Sequence, residues 1–138
     1  MENIIKQTRI LGEEIQKSEK YIAYRLASEK NNEDKELQDL IGEFNLKRMS
    51  IQEFAEKEEK DRDEEKLKNL NSEMRAIYAN IMKNENMTAY NNAKAELDKV
   101  INNINSIISL CLDGADPATC EPKAAGCGSG CNSCSGCN

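Results

Sequence analysis

No proline interrupts the first 113 residues of this chain, and only Gly12 and Gly42 weaken an otherwise helical pattern. Apolar residues recur there three and four apart, the spacing that gathers them on one side of an α-helix. With no Trp, two Phe and abundant Ile, Leu, Lys, Glu and Asn, the chain suits long amphipathic helices with thin seams. It lacks the aromatic and β-branched alternation that a β-sandwich needs. The pattern stops sharply near Asp113. Residues 114–138 hold five of the seven glycines, both prolines and five of the six cysteines, and no Leu, Ile, Val, Met or aromatic residue. Such a segment cannot bury enough apolar surface to fold alone, so it either stays disordered or is ordered by something other than a core.

The expected fold is all-α: an antiparallel helical hairpin or bundle of three to four long helices, with a low-complexity Gly/Cys-rich C-terminal tail. The domain boundaries follow, with a helical domain over residues 1–112 and a tail over 113–138. Four helical stretches are readable. The first, about 2–29, carries Ile4, Leu11, Ile15, Ile22 and Leu26 on one side. Asn31-Asn32 then interrupts, and Asp34 or its neighbour caps the next. The second runs from about 34 to 60 with Leu37, Leu40, Ile41, Phe44, Ile51, Phe54 and Ala55 on its stripe. Lys47 and Arg48 fall on that seam, where long basic side chains lie along it and snorkel.

The charge run over 56–66 fits either a bend capped by Asp61 or Asp63 or uninterrupted exposed helix. A third stretch carries Leu67, Leu70, Met74, Ile77 and Ile81, followed by a turn at Lys83–Asn86 with Asn86 as N-cap. The fourth places Tyr90, Ala93, Leu97, Val100, Ile104, Ile107 and Cys111 on successive seam positions, a coiled-coil-like surface that needs a facing helix. The short connection makes the third and fourth stretches antiparallel neighbours. Helices of this length are marginal alone in water, so part of the cover is expected from another subunit.

Charge and targeting exclude several roles. The net charge of −6 comes with no basic face, which argues against direct nucleic-acid binding. No export signal is read at the N-terminus and no apolar run is long enough for membrane insertion, so a cytoplasmic location is expected. Catalysis has little support. There is no His, no nucleophile–base pairing and no phosphate-binding glycine loop, so the chain reads as not an enzyme.

In a reducing compartment a cysteine cluster is more often a metal site than a disulfide framework. Cys127, Cys131, Cys134 and Cys137 read C-x3-C-x2-C-x2-C with small residues in every gap. Gly128, Gly130 and Gly136 let the backbone wrap closely and aim amides at sulfur. A C-x2-C-x2-C run supplies three ligands to a [4Fe–4S] cluster, with the fourth from elsewhere. Cys131, Cys134 and Cys137 form that set, and Cys127, Cys120 or a partner's thiolate completes it. Zinc in a four-cysteine site suits these spacings too, and a metal-free redox tail is the third reading. Cys111 sits on a helical seam, where it is either a small buried hydrophobe or a ligand. Asp116-Pro117 reads as an N-cap and first helical residue, a single turn presenting Cys120.

Two segments of the body resemble the YlbF/YmcA family of small helical bacterial regulators. One is Ala23 to Asn45, AYRLASEKNNEDKELQDLIGEFN, with Ala27, Asp34, Leu40-Ile41, Glu43 and Phe44. The other is YNNAKAELDKVINNINSII, with Tyr90, Ala93, Glu96, Leu97, Ile104, Asn105 and Ile108. The resemblance covers about residues 1–110. It implies an all-α regulator or adaptor without intrinsic catalysis, acting as a homo-oligomer or in a hetero-complex with YmcA-like and YaaT-like subunits. It further implies roles in competence, biofilm formation and sporulation, RNA processing indirectly through RNase Y, and cysteine-ligated [4Fe–4S] clusters. The solid charge run in the middle and the cysteine-richer tail depart from the family pattern.

Overall fold

The computed structural model describes residues 1–57, 60 and 63–122. Among the described residues there are five α-helices and no strand: α1 (Glu2–Lys17), α2 (Glu19–Glu33), α3 (Lys35–Ala55), α4 (Glu64–Lys83) and α5 (Glu85–Leu112). None of them is long and apolar enough to cross a membrane.

The breaks between helices have a common chemistry. Ser18, Asp34, Asp63 and Asn84 each leave helical geometry, with ψ of 145°, 96°, 97° and 131°. Each then offers a side-chain oxygen to the backbone N–H three residues on, at Tyr21, Leu37, Lys66 and Met87. That satisfies one of the orphan donors at a helix start.

Three of these breaks correct the sequence expectations. The stretch over 2–29 is two helices, because Ser18 both donates its hydroxyl to Ile15 O at 2.6 Å and accepts from Tyr21 N at 3.3 Å. Asn31-Asn32 does not interrupt; α2 continues to Glu33, with Asn31 buried on it. The cap of the last helix is Asn84 and not Asn86, whose amide instead donates to Asp34 at 2.9 Å. The charge run contains a real break, since α3 ends at Ala55 and Asp63 starts α4.

Within the unit formed by Met1–Leu97, α3 and α4 make the most extensive helix pair. They run antiparallel: Phe44 meets Tyr78 with ring centroids 6.0 Å apart, Lys47 pairs with Glu73, and Lys66 sits over the Phe54 ring. Lys47 is thus a seam residue held by an acid across the hairpin. Lys57 lies 4.3 Å and Lys66 4.8 Å from the centroid of Phe54, holding the end of the hairpin where α3 connects to α4 by cation–π contacts.

The expectation that α4 and α5 pack as antiparallel neighbours is not met. A helical hairpin needs a connection of about two to five residues to reverse the chain, and only Asn84 separates these helices. The first turns of α5 face α2 instead. Tyr24 and Tyr90 lie 5.7 Å apart, and Lys20 pairs with Glu96 at 3.2 Å.

The break at Asp34 lies beside the break at Asn84. The Asp34 carboxylate accepts from Asn84 at 3.0 Å and from Asn86 at 2.9 Å, besides its cap bond to Leu37 N. Asn31, itself buried, donates to the Met87 sulfur at 3.3 Å, and Gln38 donates to the Asn31 carbonyl at 2.8 Å. Among the described residues the buried apolar ones are Leu37 and Ile81, each three residues from one of these breaks, and Ala27, two turns before Asp34. Four helix ends meet there, and the polar groups they leave are paired with one another. Elsewhere large apolar side chains stay exposed, including Ile4, Leu11, Ile22, Leu26, Leu46 and Met49.

The described residues from Asp98 onward form a second compact unit, so the boundary between the two falls inside α5.

Candidate metal centre

In the second unit the seam residues Val100, Ile104, Ile107 and Cys111 are each half-buried along α5. The helix then ends in a glycine-dependent cap. Ala115 N bonds to Leu110 O at 3.0 Å and Gly114 N to Cys111 O at 3.1 Å, the paired bonds of a Schellman motif. Gly114 takes φ +91°, a left-handed conformation that a residue with a Cβ adopts only with strain.

Two residues later the chain turns again. Asp116 accepts from Ala118 N at 2.9 Å through its side chain, and its carbonyl accepts from Thr119 N at 3.2 Å and Cys120 N at 2.9 Å. This is the single capped turn expected at Asp116-Pro117, and it does present Cys120. Helix cap and turn together bring the chain back on itself, and Cys120 lies near enough to Cys111 to bear on its ionisation. Both are half-buried free thiols.

The local electrostatics follow from this arrangement. Burial pushes the Cys111 thiol above its ordinary pKa, and the hydrogen bond to Cys120 and the negative charges of Cys120 and Asp116 add to the shift. Cys111 therefore favours its protonated form. A soft cation would reverse that preference, because a coordinating thiol is deprotonated outright.

As a donor set, two adjacent sulfurs suit either an iron–sulfur cluster or zinc, both of which take thiolates. They do not complete a site. Among the described residues no group of three or more Cys, Asp or Glu could hold a metal ion. Cys127, Cys131, Cys134 and Cys137 lie outside the described residues. Sequence reasoning found both the seam position of Cys111 and the turn before Cys120, but not the Gly114 cap that joins them. The signal was present: a lone glycine just after the last seam residue is a common helix stop.

Comparison with known proteins gives one match. A family model described as "Control of competence regulator ComK, YlbF/YmcA" matches residues 4–112, from the first turn of α1 to the last residue of α5. Cys111 falls inside the matched region, and Cys120 lies beyond it. No curated protein and no solved structure matches the chain.

Proposed function

The chain belongs to the YlbF/YmcA family, and on that premise we propose that it is a non-enzymatic regulatory adaptor that works inside a multi-subunit complex. The match over residues 4–112 carries this reading. The complex contains a second YmcA-like subunit and a YaaT-like subunit, it lies in the cytoplasm, and it modulates RNA processing by acting with RNase Y. Contact with RNA is indirect, in keeping with a net charge of −6 spread over mixed helical surfaces.

Two features support an assembly role. α1 has no buried residue, although its apolar side chains lie at helical spacing. Exposed apolar residues also stand on α2 at Ile22 and Leu26 and on α3 at Leu46 and Met49. Large apolar side chains left uncovered along three helices suit cover by another subunit.

The tail holds a [4Fe–4S] cluster through Cys127, Cys131, Cys134 and Cys137, with Cys120 and Cys111 as further thiolates at its edge. Cys111 and Cys120, both half-buried free thiols, support the reading, since they extend the thiolate set beyond the tail's own spacing. Ligation would order a segment that cannot fold on apolar burial, so gain or loss of metal changes what the adaptor presents to its partners.

Co-purification tests the link between centre and assembly. Tagged wild-type chain and a variant with Cys127, Cys131, Cys134 and Cys137 all replaced by Ser are compared for capture of the YaaT-like subunit. The expected result is at least about a tenfold loss in the variant, equivalent to about 1.4 kcal/mol of coupling. Equal capture would show that association does not depend on the tail centre.

A further inference from the structure

We infer that this chain pairs with a second copy of itself by reciprocal exchange, α1 of each copy lying along residues 100–112 of the other's α5. The inference deepens the assembly reading above and rests on it for the exposed apolar faces. It concerns copies of this chain alone, so its test needs no other subunit and its failure leaves that reading standing.

Two helices carry apolar faces without full cover. α1 buries none of its 16 residues, and Ile4, Ile5 and Leu11 are exposed. α5 buries none of its 28, and Ile108 and Leu112 stand exposed beside its half-buried seam. The second unit holds no other helix, among the described residues, to cover that seam. A second copy supplies what both faces lack. Under two-fold symmetry each α1–α5 contact occurs twice, so one association covers both faces in both copies. The lengths also agree: α1 spans about 24 Å, and residues 98–112 nearly as much.

Charge favours a copy as the occupant. Residues 100–112 include no charged side chain, the longest such run before Asp113. A chain of net charge −6 repels its own copies, and like charges set face to face are costly, so a neutral stretch is where a copy approaches best. At the ends the charges are complementary. Lys6 and Arg9 have no ion-pair partner among the described residues, and Asp113 and Asp116 follow the end of α5. Laid antiparallel, α1 brings its two bases beside those acids of the second copy, where the α5 dipole also favours cations.

The face of α1 is itself prepared for close contact. Gly12 sits on it one turn from Thr8 and Ile15, and a Cβ there would meet nothing within 4 Å. Glycine weakens a helix interior, so the gap it leaves suits a side chain entering from another helix. Thr8, the polar residue of the Ile4, Thr8, Leu11, Ile15 stripe, donates its hydroxyl to Ile4 O at 3.0 Å. The stripe therefore goes dry without leaving that donor unpaired.

Complementation tests the exchange. Full-length protein is sedimented with reductant and a chelator, so that neither disulfide nor metal links the copies. The wild type should be a dimer at micromolar concentration. Ile4→Asp with Leu11→Asp should be monomeric, because it spoils both contacts of a pair, and so should Ile104→Asp with Ile108→Asp. Circular dichroism checks that both variants remain helical. Mixed together they should regain a dimer, weaker than the wild type's, because one intact α1 still meets one intact α5. Gly12→Leu should raise the dissociation constant at least about tenfold without loss of helix. A monomeric wild type would overturn the inference, as would a mixture that stays monomeric. A dimer in either variant alone would overturn it too, since α1 or α5 would then not be needed from both copies. Equal dissociation constants for Gly12→Leu and wild type would remove the close approach at Gly12.

Discussion

α1 and the α3–α4 hairpin begin from the same kind of sequence, apolar residues three and four apart among charges, and end in different circumstances. The hairpin pairs Phe44 with Tyr78 and Lys47 with Glu73, and its helices carry the buried Leu37 and Ile81. α1 buries nothing, and Ile4 remains 70% exposed. Periodicity therefore announces that a seam exists but is silent on what covers it. The hairpin's cover lies in the same chain because Asp34 and Asn84 set two breaks side by side and let four helix ends converge. Nothing in the described chain does this for α1.

The sharpest way to break the comparison is Leu37→Ala. Leu37 is 0% exposed, and deleting its side chain should destabilise the helical unit by about 3 kcal/mol, read as a lower denaturant midpoint with an unchanged m-value. A loss under about 1 kcal/mol would mean that the paired breaks are not the core.

Asp34 comes next. Hydrogen bonds from Leu37 N first, then from Asn84 and Asn86, hold its carboxyl below the usual carboxylate value. A depressed pKa gives stability that is complete above the unfolded value of 3.8 and is lost as pH falls through the lower folded value. Thermal melts should therefore show an acid-side decline below about pH 4 that flattens in Asp34→Asn, which keeps a capping oxygen but loses the charge. Identical acid-side slopes in the two proteins would remove the ionised Asp34 from the account.

Gly114→Ala should act only locally. Left-handed strain of about 1 kcal/mol at that cap should speed hydrogen exchange at the Gly114 and Ala115 amides and leave the hairpin's exchange unchanged. The smallest effect on the folded chain is predicted where the comparison began. Ile4→Asp with Leu11→Asp should alter unfolding by less than about 0.5 kcal/mol, while sedimentation shows weaker self- or partner association. A large loss of intrinsic stability would mean that α1 is covered within its own chain after all.

The all-α class was legible because proline is absent before Asp113 and the seams keep one period. Asp34 was legible as a cap because carboxylates compete for the first N–H groups of a helix, whereas Asp63 was one of two candidates beside an unbroken helix. Ser18 was not, since one serine inside an unbroken apolar pattern reads as tolerated polarity. The partner of α4 was misjudged for a related reason: a short connection suggests a hairpin, but a single extended residue at Asn84 redirects the chain without reversing it. The reversal after α5 was missed although a lone glycine after the last seam residue signals a helix stop, because the pattern marks the stop and not the direction that the positive φ of Gly114 gives the chain. The family was legible from the Ala23–Asn45 segment and the last helix, and the match over 4–112 bears that out.

The most direct test of the account is metal analysis of the full-length protein purified without oxygen. A brown protein with visible absorbance and about four irons per cluster, lost when Cys127, Cys131, Cys134 and Cys137 are replaced by Ser, is the predicted result. A colourless wild-type protein with stoichiometric zinc, or with no metal at all, would contradict it.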